Sequence, residues 1–241
     1  INKGENVIMS KVKFSALLGA AAILVGATMT GPSVAGGLAL GIQGSAIYVE
    51  TSGTETLKTT SVTNSATEQG KGAVPGAFVQ YTFGDDGFVI GIEKIPGEAT
   101  MGDKSSIRRD ATEANTGETS ATAPEVTQKV QAEIQDHIGV YVETPGFGPA
   151  GFHLKLGYSQ VTIETNETLG TGAAYGDAHI NGVVIGAGFK GVSDSGMLLK
   201  FAAEYTDYDN VSLNSTGSDA VTKITADPET YALKVSVGYQ F

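Results

Sequence analysis

The last twelve residues, Thr230-Tyr231-Ala232-Leu233-Lys234-Val235-Ser236-Val237-Gly238-Tyr239-Gln240-Phe241, decide the fold. Every odd position from Tyr231 to Phe241 is apolar or aromatic, whereas the even positions are Thr, Ala, Lys, Ser, Gly and Gln. A strand sends successive side chains to opposite faces, so this segment has one apolar face and one small or polar face. Such a strand fits either a soluble sandwich or a barrel wall with lipid on one side and a polar lumen on the other.

Seven earlier segments repeat the alternation. Leu38, Leu40 and Ile42 oppose Ala39, Gly41 and Gln43; Val79, Tyr81 and Phe83 oppose Gln80 and Thr82; Phe88, Ile90 and Ile92 oppose Gly91 and Glu93. A fourth strand, over about residues 127 to 143, is read with Ile134, Ile138, Val140 and Val142 outward and Glu133, Gln135, His137 and Tyr141 inward. Its Asp136 takes the outward phase, which predicts a bulge or register shift nearby. Phe152, Leu154, Leu156 and Tyr158 oppose His153, Lys155 and Gly157, and Val183, Ile185, Ala187 and Phe189 oppose Gly186, Gly188 and Lys190. Met197, Leu199, Phe201, Ala203 and Tyr205 oppose Lys200, Ala202, Glu204 and Thr206.

The connections favour the barrel. Gly84 to Gly87, Thr144 to Ala150 and Gly191 to Gly196 are short and rich in turn residues. The alternate connections, Thr51 to Gly72, Pro96 to Val126, Thr165 to Ala178 and Asp207 to Pro228, are long and polar, and are read as loops. A sandwich has no reason to gather its long loops at one end. An outer-membrane barrel has short periplasmic turns, long external loops and an even strand count. Phe83, Phe88, Phe152, Phe189 and Phe241 fall near the short-turn end, and Tyr48, Tyr158, Tyr205 and Tyr231 nearer the other, as two interfacial aromatic belts. The expected fold is an all-β, eight-stranded, antiparallel up-and-down transmembrane barrel.

Composition narrows the function. The chain of 241 residues has no Cys, which excludes disulfide scaffolds, Cys-ligated zinc, iron–sulfur clusters and thiol nucleophiles. Its formal charge of −11 argues against nucleic acid as a partner. Near the N-terminus, Met9 to Lys13 is basic, Phe14 to Met29 is apolar or small, and Gly31-Pro32 precedes Ser33-Val34-Ala35. That is the layout of a secretory signal peptide over residues 9–35, cleaved between Ala35 and Gly36. Residues 1–8 read as an upstream extension of no visible role, and residues 36–241 as the barrel domain.

The signal peptide, the eight strands and the terminal Val237-Gly238-Tyr239-Gln240-Phe241 resemble small bacterial outer-membrane proteins of the OmpA-domain, OmpX, OmpW and opacity-protein kind. Leu156 to Thr162, Gly186 to Gly191 and Tyr205 to Tyr208 look most like small barrels of marine alphaproteobacteria. The resemblance implies an outer-membrane location with periplasmic termini, and outer-membrane lipid and lipopolysaccharide as surroundings. It also implies that Tyr239 and Phe241 form the signal read by the barrel assembly machinery. On activity it is nearly silent, because one fold hosts many functions.

The inward phase collects Lys155, Lys190, Lys200 and Lys234 with Glu93, Glu133, Glu143 and Glu204. Charges kept from water must pair, and eight strands leave a bore that side chains fill, so these eight read as a neutral network plugging the lumen. The rival reading is a lipid-modifying barrel enzyme built on His137, His153 or His179. None of them shows the His-x-Ser pairing of the deacylases, and Asp136 and His137 are adjacent, hence on opposite faces. The acids of Asp207-Tyr208-Asp209-Asn210 read as a solvated rim rather than a cation site. The expectation is a non-enzymatic barrel without cofactor or metal, structural or surface-interactive, its external ligand open. A narrow channel for small apolar solutes is the further alternative.

Overall fold

The computed structural model describes residues 37–57, 63–84, 87–109, 125–169, 173–217 and 222–241. The readings of residues 1–8 and 9–35 and of the Ala35–Gly36 cleavage lie outside them. Among the described residues twelve strands form: β1 (Leu38–Leu57), β2 (Thr63–Thr82), β3 (Val89–Ile95), β4 (Ala99–Arg109), β5 (Glu125–Glu143), β6 (Phe152–Leu169), β7 (Ala173–Ala174), β8 (Ala178–Val192), β9 (Met197–Tyr208), β10 (Val211–Asn214), β11 (Thr216–Gly217) and β12 (Thr222–Gln240). β3 and β4 are two stretches of one wall strand, since both pair with β2 and β5. β10 pairs with β12 as β9 does, and β7 pairs only with β11. The wall therefore has eight antiparallel strands, each beside its neighbours in sequence, and β1 closes it by pairing with both β2 and β12.

The register sets the bore. From Leu40 the cross-strand partners run through Val79, Ile92, Val140, Tyr158, Val183, Asp207 and Glu229 to Glu50, ten residues further along β1. With strands about 4.8 Å apart and a rise of about 3.3 Å per residue, that stagger gives a tilt of about 41° and a backbone radius of about 8 Å. Inward side chains from opposite walls fill such a tube.

The outer wall of the turn-end half is apolar. Ile42 is 71% exposed, Ile92 54%, Leu156 55%, Ile185 53% and Val237 46%. An unbroken belt of this kind is a lipid-facing surface rather than a water-facing one. From Phe241 up to Tyr231 it spans about 25 Å, the thickness expected of the apolar band. Edge-on ring pairs mark its lower rim, Tyr81–Phe83, Phe152–Phe189 and Tyr239–Phe241, with centroids 5.0, 5.6 and 5.0 Å apart. Tyr231 packs against Tyr48 and Tyr205 at the upper rim.

Two expectations are corrected. The segments read as long loops are largely strand: β1 continues to Leu57, β2 begins at Thr63, and β12 begins at Thr222. Thr and Ser there form cross-strand pairs, Thr54–Thr225 at 2.6 Å and Ser52–Thr67 at 3.2 Å, and Thr favours strands. In β5 the expected irregularity is present, with Asp136 at φ 60° and the register shifting between Gln135 and Ile138. Beyond it the phase is inverted. Ile134 is buried in the interior, whereas Gln135 and Glu133 take the outer face, Gln135 donating to Glu164. Asp136 stays outside and pairs with Lys94 at 2.9 Å.

Candidate functional site: the lumen

The inward charges sort into two tiers. In the upper tier Lys155 of β6 reaches Glu93 Oε2 at 3.2 Å and Glu204 Oε1 at 2.7 Å. Lys234 of β12 reaches Glu93 Oε1 at 2.7 Å and Glu204 Oε2 at 2.8 Å. Each lysine thus bridges both glutamates, and each glutamate spends one oxygen on each lysine. The result is a closed, neutral ring of four side chains drawn from β3, β6, β9 and β12, all almost fully buried. Gln43 donates to Glu93 at 3.4 Å from β1.

The lower tier centres on Glu143. Its Oε1 pairs with Lys200, and its Oε2 lies 3.6 Å from Lys190 Nζ and 3.8 Å from His153 Nε2. Gln80 accepts from Lys200 at 2.9 Å and from the Tyr141 hydroxyl at 3.1 Å. Tyr141 joins the tiers, its ring centroid 4.3 Å from Lys155 Nζ and 5.2 Å from Lys200 Nζ. That position needs Gly91, because a Cβ there would run into the Tyr141 ring.

Of the eight inward charges expected from the sequence, these tiers contain seven. Glu133 is the exception, because the bulge at Asp136 rotates it to the outer face, away from both tiers. Three glutamates then face four lysines, with the surplus positive charge in the lower tier beside Lys190, the least buried of the four lysines at 10% side-chain exposure.

Apolar clusters close the lumen beyond each tier. Towards the turns Ala39, Phe78 and Leu198 pack together under the lower tier. Towards the long connections Val49, Ile134, Val161, Ile163, Ile180, Tyr208 and Val211 form a larger plug above the upper tier. Sequence reading missed this plug, although Val161 and Ile163 carry the inward phase of β6 and β8 carries Ile180.

The histidines do not converge. His153 is fully buried beside Glu143, and His137 lies above the glutamate–lysine ring. His179 is exposed, and its Nδ1 lies 3.0 Å from the Thr162 hydroxyl. Thr162 and His179 are direct cross-strand partners, as are Gln160 and Asn181 on the same row, joined at 3.2 Å. They dress the outer face as ordinary polar ladder pairs. At the rim, Glu229 accepts from Tyr205 at 2.8 Å and from Tyr231 at 3.2 Å, and Glu50 accepts from Tyr48 and Gln69, both at 3.1 Å. These donors reach carboxylate oxygens of Glu50 and Glu229, which face each other across the strands. Tyr239 and Phe241 stand exposed on the outer wall at the turn end, 48% and 66% accessible.

No family model matches the chain, and no curated protein matches it. Among solved structures it is similar to the outer membrane protein OprG from Pseudomonas aeruginosa, with 15% identity, 88% of this chain and 99% of that one covered, and a TM-score of 0.53. The outer membrane protease OmpT from Escherichia coli matches with 9% identity, 90% and 100% coverage and a TM-score of 0.42. The attachment invasion locus protein Ail of Yersinia pestis, in complex with the heparin analogue sucrose octasulfate, matches with 8% identity, 83% and 99% coverage and a TM-score of 0.34. The wall, the belt and the OprG likeness agree, and the chain has the fold of a small outer-membrane β-barrel.

Proposed function

We propose that the protein resides in the bacterial outer membrane, termini in the periplasm and long connections outside, and acts as a non-enzymatic barrel with a structural or surface-interaction role. The observation that carries this reading is the occluded lumen. Seven paired or hydrogen-bonded charges span a tube about 8 Å in backbone radius, with apolar clusters at both ends. What remains for function is the outer surface, amid lipid and lipopolysaccharide, and the external strand ends. Planar-bilayer recording of the purified protein tests it. No stable large conductance is expected, and reproducible porin-sized openings would refute the plug. On the same reading, export removes residues 9–35, so N-terminal sequencing of the membrane fraction starts at Gly36. Deleting Phe241 lowers the yield of folded barrel, because the assembly machinery loses its signal.

A second reading, a narrow channel for small apolar solutes, is favoured by one observation. β2 pairs with β3 from Ala77 to Thr82 and with β4 at Gly70, leaving a seam in the wall between these contacts. There Gly97 abuts Val74, a Cβ at Gly97 falling 2.9 Å from Val74 Cγ1. A V74C/G97C disulfide would lock the seam. Solute uptake into proteoliposomes that stops on oxidation would favour the channel, and uptake no different from empty liposomes favours the closed barrel.

A further inference from the structure

The lipid-facing wall is not smooth over β1, β12 and β9. One cross-strand row runs from Ala73 through Ala46, Leu233 and Ala203 to Ala187. All but Leu233 are alanines, whereas the row above holds Tyr48, Tyr231 and Tyr205 and the row below holds Phe201 and Phe189. Gly44 and Pro75, direct partners, widen the depression on the β1–β2 side. The result is a groove of about 680 Å³ in the outer wall, roofed by tyrosines and floored by phenylalanines.

Shape and charge select the occupant. Two barrels meet along convex ridges, so a concave strip suits lipid chains better than a second copy of this wall. Because the strands tilt, the row extends about 14 Å around the barrel, which takes several acyl chains side by side rather than one. At the upper mouth stands Lys71, exposed, two residues above Ala73 and directly opposite Tyr48. Its Nζ lies 5.8 Å from the Tyr48 ring centroid. Glu50, the next outward residue of β1, is engaged instead by Tyr48 and Gln69, both at 3.1 Å. A lysine at headgroup depth attracts an anionic lipid head. We infer that this groove binds one phosphorylated, multi-acyl glycolipid of the lipopolysaccharide kind, a phosphate on Lys71 and acyl chains along Ala46, Gly44 and Ala203. The inference rests on the proposed outer-membrane location and deepens it: one side of the barrel holds a particular lipid, while the rest of the belt meets exchanging ones.

The test titrates purified bis-phosphorylated lipid A into the refolded protein in detergent micelles and follows methyl resonances by NMR. Saturable shifts are expected at Ala46 and Ala203, and not at Ile92 on the far wall. A Cβ at Gly44 meets no atom within 4 Å, so Gly44→Leu fills the groove without disturbing the strands. By displacing about two buried CH₂ groups it should weaken binding about tenfold. Ala46→Leu gives the same comparison, read at Ala203, if that variant does not fold. Lys71→Gln should weaken binding about fivefold for lipid A and leave binding of its dephosphorylated form unchanged. Shifts spread evenly around the belt, unchanged affinity in a folded Gly44→Leu protein, equal binding of phosphatidylethanolamine, or shifts that track dimer formation overturn the inference. Binding in micelles is independent of cellular location, which membrane fractionation reads separately.

Discussion

Strand β6 crosses two environments. From Phe152 to Tyr158 its outward residues are apolar, with His153 and Lys155 inward. A few residues on, Gln160, Thr162 and Glu164 face out, and Val161 and Ile163 are buried in the plug. The backbone phase is unchanged through the strand, so the inversion lies wholly in residue identity. The turn-end half is an inside-out protein, with apolar belt and charged interior; the half beyond the tyrosines is built like a soluble barrel, polar outside and apolar within. Alternation therefore reports a strand, and only the sign of each face reports what surrounds it.

The largest test of this contrast sits in the charged interior. Glu93→Leu leaves Lys155 and Lys234 buried with half their partners and should cost about 3–5 kcal/mol of folding stability. Glu164→Leu, outside on the other half, should change stability by no more than about 0.5 kcal/mol. Urea unfolding in micelles, followed by circular dichroism because the chain has no Trp, measures both. Next comes one substitution placed twice on β6. Leu156→Arg in the lipid belt should cost about 2–4 kcal/mol, and Gln160→Arg above it about 0–1. Equal costs would erase the boundary drawn between the halves.

Smaller effects sharpen the contrast. Ile180→Val opens space within the packed plug and should cost about 0.5–1.5 kcal/mol. Ile185→Val on the same strand faces lipid, which refills the gap, and should cost less in the same titration. Thr162→Val removes only the cross-strand bond to His179, and the expected loss is about 0.2–1 kcal/mol. A larger loss, or a change in lipid composition of cells carrying this variant, would show that the pair does more than dress the sheet.

The turn-end half was legible in the sequence because lipid demands a strict apolar face on every strand, from Leu38, Leu40 and Ile42 to Val235, Val237 and Tyr239. The bulge was legible too, since Asp136 stood out of phase. Its consequence was not: a strand read as one phase from Glu133 to Val142 hides the inversion, which misplaced Ile134, Gln135 and Glu133. The half beyond the tyrosines was read as loops because polar Thr and Ser were equated with irregular chain. Those residues pair across strands at Thr54–Thr225 and Ser52–Thr67, in ladders whose partners lie 171 and 15 residues away along the chain. The ring of Glu93, Lys155, Glu204 and Lys234 had its members named from inward phase alone. Which glutamate meets which lysine depends on the stagger of ten residues around the wall, and no single strand encodes that.

The ladder between β1 and β12 runs without interruption from Ala39↔Gln240 to Leu57↔Thr222. Its partners are the most widely separated along the chain, so the entropy of bringing them together is largest there. Hairpins such as β8–β9, joined by a short turn, have only a brief search and form early. β1 must wait for β12, which follows the other strands of the wall along the chain. Until it arrives, β1 presents an open edge along its whole length, and an open edge invites pairing with other chains. Folding of this wall thus ends in a single clasp made once β12 is available, and the interval before that clasp is when the chain is most exposed to aggregation.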